Sequence, residues 1–568
     1  MTTFSHRWGA TRDGDLWRIA TWAPLHDKIE LQVGNDITAL SKDADGWHVA
    51  DIDAPLGTEY AFRLDGQSYP DPASRWQAGD VHAASRLCDP ASLPRADWHG
   101  RPWEEAVVLE IHVGTFTEEG TLKAAAERMG EIAELGITAI ELMPLGQFAG
   151  NRGWGYDGVL PDAVHPAYGT PEDMVAFVDA AHAAGVMVLV DAVYNHFGPE
   201  GAYLHALCPS FFDEARQTPW GAAIDFTRPE VRAFFIQNAE MWIADYGVDG
   251  LRLDAVHQIG QPGETDFLTE LSDHVAGLDL GRPVHLVTED ERNLVSYVGH
   301  GTLRAQWNDD YHHAVHCLLT GESQSYYAPF AHDPFGDLAT ALRDGQVDQG
   351  QPRPATEDMR GEPSDHLPPI RFVNANQTHD QIGNRAIGER LISLSDPEDM
   401  KVMHAMLCLA PFIPMLFQGE EIGSRAPFQF FTDFHGDLAD AVRQGRRNEF
   451  PDFADSAHEV PDPNAPETFA RSKPYAAPPA DADEWRDLTR RCLRMRQDLL
   501  VPLLKSGWRG TSVEREGDHS LTATWTFTAG LLNLSFAKGG PAAPVRSPEI
   551  LEMKGPTVAL RVGLEGHA

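Results

Sequence analysis

Apolar and polar residues alternate along the first part of the chain. Short runs such as "DLWRIATWAP", "KIELQVG", "GWHVADI" and "EYAFRLDG" are separated by Gly, Asp, Asn and Pro at turn-like intervals. This pattern predicts short strands, and we expect residues 1–95 to form an N-terminal β-sandwich. Alternation returns in "HSLTATWTFTAGLLNLSFA" and "TVALRVGLE", so we expect residues 504–568 to form a small C-terminal β domain.

Between these regions the pattern changes to strands alternating with helices. In one such unit, Thr170 is a good N-cap, Pro171 suits the first helical position and Asp173 completes a capping box. Gly185 is a natural end for this helix, whose buried face is predicted to consist of Met174, Phe177, Val178 and Ala181. The continuous apolar run "VMVLVDAVYNH" that follows predicts a strand buried on both faces.

Eight apolar runs of this kind occur, with helical patterns between most of them. Eight strand–helix units in one domain predict an α/β fold, a (β/α)₈ TIM barrel, over residues 96–503. Nearly every run ends in polar residues, namely His196, Asp254, Glu289, Asp309, Asp380 and Glu420. Reacting groups of such barrels sit at the carboxyl ends of the strands, which is where these residues fall.

Two further segments of the barrel region have distinct patterns. Residues 332–368 are polar and weakly periodic, so we expect an inserted loop over the barrel mouth. Residues 483–500 predict the last helix of the barrel, with one apolar face made by Trp485, Leu488, Cys492, Met495 and Leu499.

Composition narrows the range of partners. The 568 residues include 85 Asp and Glu against 45 Lys and Arg, a net charge of −40, which disfavours nucleic acid and anionic membranes as partners. The first fifteen residues lack the apolar core of a signal peptide, and no apolar run is long enough to span a bilayer. The five cysteines are scattered and form no CxxC pair, which predicts neither disulfides nor zinc and favours a cytoplasmic protein.

The stretch "YGVDGLRLDAVHQI" places Arg252 and Asp254 two positions apart in a predicted strand. Side chains two apart project from the same face of a strand. Because a buried carboxylate is costly unless it is paired, a structural ion pair explains the two residues as well as catalysis does. This stretch alone leaves both interpretations open.

Four separated segments favour catalysis. They are "DAVYNH" (191–196), "GLRLDAV" (250–256), "VTEDERN" (287–293) and "QTHDQIGNR" (377–385). In order and type they resemble the conserved segments of the α-amylase superfamily of retaining glycoside hydrolases, on barrel strands 3, 4, 5 and 7. The resemblance implies that Asp254 is the nucleophile and Glu289 the acid/base, and that Asp380 helps to stabilise the transition state. Arg252 would orient Asp254 and keep it ionised.

The same resemblance implies several substrate contacts around these carboxylates. His196 and His379 would bond hydroxyls of the sugar in the −1 subsite, Tyr156 would form an aromatic platform beneath it, and His257 would reach the aglycone side. Asn195 matches a calcium ligand of many amylases, but no Asp-rich calcium loop is nearby and no metal is expected. No nucleotide or redox cofactor motif is present. Thr378 stands where the family usually has Asn, which puts local support of that strand end in doubt.

Several loops, among them "EIHVGTFTEEGT", "QFAGNRGWGYDGV", "HDQIGNRAIGERL" and "APFQFFTDFHGDLADAVRQGRRNEF", resemble the maltooligosyltrehalose trehalohydrolases, over about residues 100–500. That resemblance implies an N-terminal domain like a carbohydrate-binding module. It also implies cleavage of the α-1,4 bond next to the terminal trehalose of maltooligosyltrehalose, on substrate supplied by a maltooligosyltrehalose synthase.

The residues expected to contact substrate at the mouth are Trp307, Asn308, Asp309, Asp310, Tyr311, Gln381, Asn384 and Arg385, with Phe428, Phe430 and Phe431 as candidate stacking faces. A branching or debranching enzyme, and a non-catalytic glucan-binding barrel, remain as alternatives. The non-catalytic barrel is disfavoured because this chain keeps all three carboxylates, Asp254, Glu289 and Asp380.

Overall fold

The N-terminal region forms two antiparallel sheets that pack face to face. The computed structural model describes residues 6–218, 220–259, 267–357, 359–450 and 460–566. One sheet has the order β1 (Gly9–Asp13), β2 (Leu16–Trp22), β6 (Trp47–Ile52), β5 (Ser41–Lys42). The other has the order β4 (Asp36–Ala39), β3 (Glu30–Val33), β7 (Glu59–Leu64), β8 (Gln67–Tyr69), with β9 (Ser85–Arg86) also on β7. Alternate apolar residues of both sheets, including Trp17, Ile19, Leu31 and Phe62, share one core, so the predicted sandwich is confirmed.

The central region is a closed parallel barrel of eight strands, as predicted. The strands are β10 (Val108–Ile111), β11 (Ala139–Leu142), β14 (Met187–Ala192), β17 (Gly250–Leu253), β18 (His285–Thr288), β19 (Leu303–Trp307), β20 (Phe372–Ala375) and β21 (Ile413–Phe417). Nearly all of their residues are buried because helices cover the outside and side chains fill the inside. Two short hairpins extend from the carboxyl ends of the second and third barrel strands: β12 (Gly146–Gln147) with β13 (Leu160–Val164), and β15 (Phe212–Thr218) with β16 (Gly221–Ile224).

Helices surround the barrel and occupy its loops. Thr170 and Asp173 form the predicted capping box at the start of the helix after β13, and the predicted face from Met174 to Ala181 is buried. The helices are α1 (Val113–Phe116), α2 (Leu122–Glu127), α3 (Met129–Leu135), α4 (Pro171–Ala183), α5 (Leu204–Leu207), α6 (Pro229–Glu240), α7 (Phe267–Ala276), α8 (Asp309–Thr320), α9 (Pro334–Asp344), α10 (His379–Gly383), α11 (Leu391–Leu394), α12 (Pro397–Leu409), α13 (Gly436–Glu449), α14 (Pro466–Arg471), α15 (Ala482–Met495) and α16 (Val501–Ser506).

The C-terminal region is a five-stranded antiparallel sheet. Its order is β22 (Trp508–Glu516), β23 (Ser520–Phe527), β24 (Gly530–Lys538), β26 (Val558–Gly566), β25 (Glu549–Lys554). Asp399 at the start of α12 accepts hydrogen bonds from the backbone N–H groups of Thr557 and Val558, which ties the sheet to the barrel. The strands of both terminal regions lie within the predicted ranges, but helix α16 crosses the limit predicted at residue 503, and the domain limits at residues 95 and 503 stay predictions.

The expectation of a structureless insert over residues 332–368 is wrong for its first part. Residues 334–344 form helix α9, which Asp333 caps by accepting a hydrogen bond from Gly336 N at 2.9 Å. Phe335, Leu338 and Leu342 on α9 are buried. The helix was missed because its apolar residues are few and lie between Pro, Asp and Gly.

The predicted face of the last helix is also wrong at its end, since Leu499 is exposed. Residues 496–500 form a π-helical turn, and the wider turn rotates the following side chains out of the α-helical phase. Arg496 is buried instead, and its guanidinium donates to the carbonyls of Cys408, Ala410 and Phe412. Among the described residues, no helix has both the length and the apolar character needed to cross a membrane.

Candidate active site

An open cavity of about 470 Å³ lies at the carboxyl ends of barrel strands four to seven. Of the residues predicted for the site, five line this cavity: His257, Glu289, Asp309, Asp380 and Gln381. Its other lining residues are Glu291, His313, Ser325, Tyr326, Pro329, Phe330, Asp348, Ala355, Thr356 and Arg360. The segment that follows α9 therefore does border the barrel mouth, as expected for that part of the insert.

Arg252 joins the carboxylates beneath this cavity. Its Nη1 donates to Asp254 Oδ1 at 2.6 Å and to Asp191 Oδ2 at 2.7 Å, and its Nη2 lies 2.8 Å from Glu289 Oε2. The guanidinium is buried, and it stacks over the ring of Trp307 at 4.2 Å. The structure therefore contains the ion pair that the sequence suggested, extended to two further carboxylates.

Asn195 and Tyr156 complete the support of this group. Asn195 Nδ2 donates to Asp254 Oδ2 at 2.7 Å, so each oxygen of Asp254 has its own donor. Tyr156 OH donates to Asp191 Oδ2 at 2.6 Å, the oxygen that also receives Arg252. Asp191 thus supports the arginine, and Asn195 fixes the carboxylate of Asp254.

These contacts give Asp254 and Glu289 opposite charge preferences. Burial opposes ionisation of Asp254, but the charge of Arg252 and the hydrogen bond from Asn195 outweigh it and lower the pKa of this carboxyl. For Glu289, burial and the negative charges of Asp254, Asp309 and Asp380 outweigh Arg252 and raise the pKa to about 8. At neutral pH Asp254 is therefore ionised and Glu289 is protonated.

Backbone geometry directs the proton of Glu289. Ala255 adopts a left-handed conformation, with φ 42° and ψ 50°, which is strained for a residue other than glycine. In this conformation its N–H donates to Glu289 Oε2 at 2.9 Å. Because Oε2 already accepts from Arg252 and Ala255, a proton on Glu289 belongs on Oε1.

The third carboxylate, Asp380, lies in the first turn of α10. Thr378 caps this helix and accepts a hydrogen bond from Asp380 N at 3.2 Å, while Gln381 accepts from Thr378 N at 2.9 Å. Asn384 donates to Asp380 Oδ1 at 2.7 Å. The departure at Thr378 therefore leaves this strand end well supported, because threonine is itself a good N-cap.

The two predicted histidines differ in their surroundings. Nε2 of His196 donates to the carbonyl of Tyr156 at 2.8 Å, and its Nδ1 contacts Asn195 Oδ1. A bond from His196 to a sugar hydroxyl would require one of these contacts to break. His379 uses Nδ1 to contact Glu110, and its ring lies 5.1 Å from that of Tyr156 at an interplanar angle of 22°. Its role as a sugar contact stays a prediction.

Sequence reasoning missed two residues of the site. Glu110, on β10, is 1% exposed and contacts both the ring and the backbone of His379. Trp220, in the turn of the β15–β16 hairpin, is 48% exposed and stacks on His196 at 4.1 Å. A charged residue inside the apolar run "VVLEIHVGTF" was a usable signal for Glu110, of the same kind as Arg252. Nothing local distinguishes Trp220 from other loop tryptophans.

The structure does not support a direct substrate contact by Asp310 or Tyr311. Asp310 is 1% exposed, and its carboxylate accepts from Arg360, from Asn293 and from the backbone N–H groups of residues 347 and 348. Tyr311 is also 1% exposed and packs in the main core. Asn308 is the N-cap of α8 and donates to Gly345 O and Asn374 Oδ1, so it too is structural.

Other predicted contacts are likewise occupied by protein partners. Arg385 forms a two-pronged pair with Glu322 at 2.8 and 2.9 Å, and it does not line the cavity. Phe428 and Phe431 are fully buried and cannot stack on a sugar, while Phe430 is half-buried. Gln381 remains at the cavity and donates to Asp309 Oδ1 at 3.0 Å, and Trp307 lies under Arg252. In the part of the chain that the structure describes, no cluster of three or more His, Cys, Asp or Glu side chains is arranged to hold a metal ion.

Comparison with known proteins agrees with this geometry. Residues 90–220 match the model of the α-amylase catalytic domain. Malto-oligosyltrehalose trehalohydrolase from Deinococcus radiodurans is 41% identical over 461 residues, which cover 80% of this chain and 76% of the relative. The enzyme of the same name from Saccharolobus solfataricus is 39% identical over 78% of this chain and 80% of its own length.

Solved structures share the fold of this chain. A putative α-amylase from Salmonella typhimurium is 43% identical, covers 99% of this chain and 100% of its own, and superposes with a TM-score of 0.93. A pullulanase from Anoxybacillus sp. LM18-11 in complex with maltotetraose reaches 0.71 at 15% identity, over 98% and 87% of the two chains, and shows only the shared fold. On the sequence relatives, the chain belongs to the malto-oligosyltrehalose trehalohydrolase family, within the α-amylase superfamily.

Proposed function

We propose that Asp254 is the nucleophile and Glu289 the acid/base of a retaining hydrolysis. The chain is a glycoside hydrolase that releases trehalose from maltooligosyltrehalose, as the names of its relatives state for those enzymes. The observation that carries the residue roles is the bridge by Arg252, which connects an ionised Asp254 to a protonated Glu289. One guanidinium between two carboxyl groups favours the short separation of retaining enzymes, about 5–5.5 Å.

In the first step, a lone pair of the Asp254 carboxylate forms a bond to the anomeric carbon of the sugar in subsite −1. The bond between that carbon and the glycosidic oxygen breaks, and the oxygen takes the proton from Glu289 Oε1. Trehalose leaves with that proton. Asn195 and Arg252 hold both oxygens of Asp254, so the attack requires little reorientation of this side chain.

In the second step, a water molecule attacks the same carbon. Glu289, now ionised, takes a proton from the water, the bond to Asp254 breaks, and a maltooligosaccharide with a retained α configuration is released. Asp380, at the same cavity, carries negative charge that stabilises the positively charged sugar ring of both transition states.

The trehalose unit occupies the part of the cavity that Asp309, Gln381 and His257 line. Asp309 Oδ1 accepts from Gln381, which leaves its second oxygen for a sugar hydroxyl. Burial and the charge of Asp380 raise the pKa of Asp309 to about 6, so it is an ionised acceptor at neutral pH. Discrimination of trehalose from a maltose end follows if such a bond strengthens in the transition state.

We propose that the substrate comes from a synthase that converts the reducing end of a maltooligosaccharide into trehalose, so that this chain acts second in a two-step route. We assign both steps to the cytoplasm. All five cysteines are free and buried, which suits a reducing compartment.

Product analysis tests this function. Purified enzyme is incubated with maltotriosyltrehalose, with maltopentaose as a control of equal length, and with a branched α-1,6 glucan. Free trehalose and maltotriose should form from the first substrate much faster than any product from the other two. Chain branching or cleavage of the α-1,6 bonds without trehalose release would instead identify a branching or debranching enzyme.

A further inference from the structure

A second charged pair lies at the inner side of the active site. Glu110 projects from β10 into the barrel, and its Oε2 accepts from His379 N at 3.0 Å while its Oε1 contacts His379 Nδ1. One carboxylate therefore holds both the backbone and the ring of His379. Both residues are almost fully buried, at 1% and 3% exposure, so water screens this pair little.

The ring of His379 is held from its faces as well. The ring of Tyr156 stacks on it, and the indole of Trp154 meets it edge-on at 5.5 Å. Among the described residues, Nε2 of His379 has no hydrogen bond to protein, because the one side-chain hydrogen bond of this residue runs through Nδ1. With Nδ1 directed to Glu110, Nε2 is the ring atom left to bond a substrate.

We propose that Glu110 is a positioning residue, which holds His379 as a protonated imidazolium whose Nε2–H donates a charged hydrogen bond to the sugar at the reacting centre. This inference rests on the proposed function, because it assumes that a sugar binds beside Asp380. A donor that stays charged throughout the cycle can bond a sugar hydroxyl more strongly than a neutral imidazole does.

The charges around His379 support this state. Burial and the charge of Arg252 oppose protonation, but Glu110 and Asp380 outweigh them and raise the pKa of His379 to about 9. His112 directly follows β10. It adds no competing positive charge, because burial lowers the pKa of its imidazole to about 3. His379 thus carries its charge at neutral pH and loses it only as the pH rises through about 9.

The adjacent strand provides a matched control. Glu141 on β11 is the register partner of Glu110 and is also buried, but its Oε1 has no hydrogen-bond partner among the described residues. Burial and the nearby charge of Glu110 raise the pKa of Glu141 well above its ordinary value, so this carboxyl is neutral. Of two neighbouring glutamates, only Glu110 is paired with a histidine.

The test compares Glu110→Gln with Glu141→Gln. Glutamine has the shape of a neutral glutamic acid, so Glu141→Gln should retain kcat/KM within about twofold. Glu110→Gln removes the charge that protonates His379, and kcat/KM at pH 7 should fall about 10- to 100-fold, the range of one hydrogen bond to a charged group. Equal effects of the two substitutions would overturn the proposal.

The pH profile separates positioning from a general loss of structure. In Glu110→Gln the pKa of His379 falls, so its charge returns as the pH is lowered, and the ratio of wild-type to variant kcat/KM should shrink from pH 8 to pH 5. A ratio that is constant across this range would show that Glu110 only supports the fold. In the His379→Asn background, Glu110→Gln should have little further effect on kcat/KM, and a full additional loss would contradict the coupling.

The charge of His379 can also be measured directly in the wild-type chain, with a variant needed only to assign its signal. Protein with isotope-labelled histidines is titrated and followed by NMR. The His379 signal is identified by its absence from the spectrum of His379→Asn. The ring should stay protonated through pH 8, and titration below pH 7 would overturn the proposal. This titration measures the charge alone, whereas loss of trehalose release in the product assay would refute the proposed function itself, so the two failures are distinguishable.

Discussion

The carboxylate group on the fourth and fifth barrel strands and the rim at residues 307–311 lie beside the same cavity, yet they are built differently. Arg252, Asp254 and Glu289 sit at strand ends whose direction the barrel fixes, and all three are connected within 3 Å. In the rim, Asp309 and Asp310 are adjacent in sequence, but one side chain faces the cavity and the other faces the protein interior. Asp309 lines the cavity, whereas Asp310 is a buried acceptor for four donors, three of which come from later segments of the chain.

The difference shows what a strand end supplies and a loop does not. Period-two alternation decides which side chains of a strand face the barrel, so adjacent functional residues are predictable. At the start of a helix, neighbouring side chains diverge by about 100°. Which of two aspartates reaches the substrate then depends on the segment that packs over it, here residues 345–357 and Arg360.

The largest expected effect concerns Asp254. Asp254→Asn keeps the shape and one acceptor oxygen, for either Arg252 or Asn195, but removes the attacking charge. We expect kcat on maltooligosyltrehalose to fall about 10⁴-fold or more. Thermal unfolding should change little. A variant that kept one tenth of wild-type turnover would show that another residue attacks the anomeric carbon.

The next effect concerns Glu289 as proton donor. Glu289→Gln should slow cleavage of maltooligosyltrehalose by about 10²- to 10⁴-fold, because the sugar leaving group needs a proton. Formation of the glycosyl-enzyme from an α-maltooligosyl fluoride should be far less affected, since fluoride departs without one. Rapid-quench kinetics on both substrates measure the difference. Equal losses on the two would point to a different acid.

The third prediction separates the two rim aspartates. Asp310→Asn removes the charge of a buried carboxylate that pairs with the partly exposed Arg360, and should cost about 1.5–3 kcal/mol in the free energy of unfolding of the barrel region. Asp309→Asn should leave stability nearly unchanged and lower kcat/KM for maltooligosyltrehalose by about 1–3 kcal/mol, with a smaller loss on plain maltooligosaccharides. Denaturation and kinetics of both variants check this, and identical behaviour of the two would remove the distinction.

The smallest effect is a shift in pH dependence. Glu289 acts only when protonated, so wild-type kcat/KM should fall as the pH rises through its pKa of about 8. Asp309 carries one of the negative charges that raise this pKa. In Asp309→Asn the alkaline limb should therefore move to lower pH, while Asp279→Asn, exposed at the opposite end of the barrel, should leave it in place. A limb that stayed fixed or moved upward would argue against this charge coupling.

Most of the architecture was predictable from the sequence. The eight strands, both β domains and the capping box of α4 follow from local patterns of apolar residues and caps. Helix α9 and the π-helical turn at residues 496–500 were not predictable in this way. Helix α9 has only a short apolar face, and the π-helical turn depends on packing that no local pattern encodes.

The candidate site divides in the same way. Short motifs at strand ends predicted Asp254, Glu289 and Asp380 as the catalytic carboxylates, and the structure brings Asp254 and Glu289 to one guanidinium. The partner of His379 was not found, since Glu110 lies 269 residues away and only the closure of the barrel brings the two together. Asp310 and Arg385 were misassigned because their partners Arg360 and Glu322 are chosen by loop folding.

Trapping of the covalent intermediate tests the central claim most directly. Glu289→Gln lacks the base for the second step, so a fluorinated α-maltooligosyl fluoride should accumulate as a glycosyl-enzyme on the variant. We predict that intact mass rises by one glycosyl group and that peptide mapping places it on Asp254. An adduct on another residue, or turnover with inverted configuration and no adduct, would contradict the account.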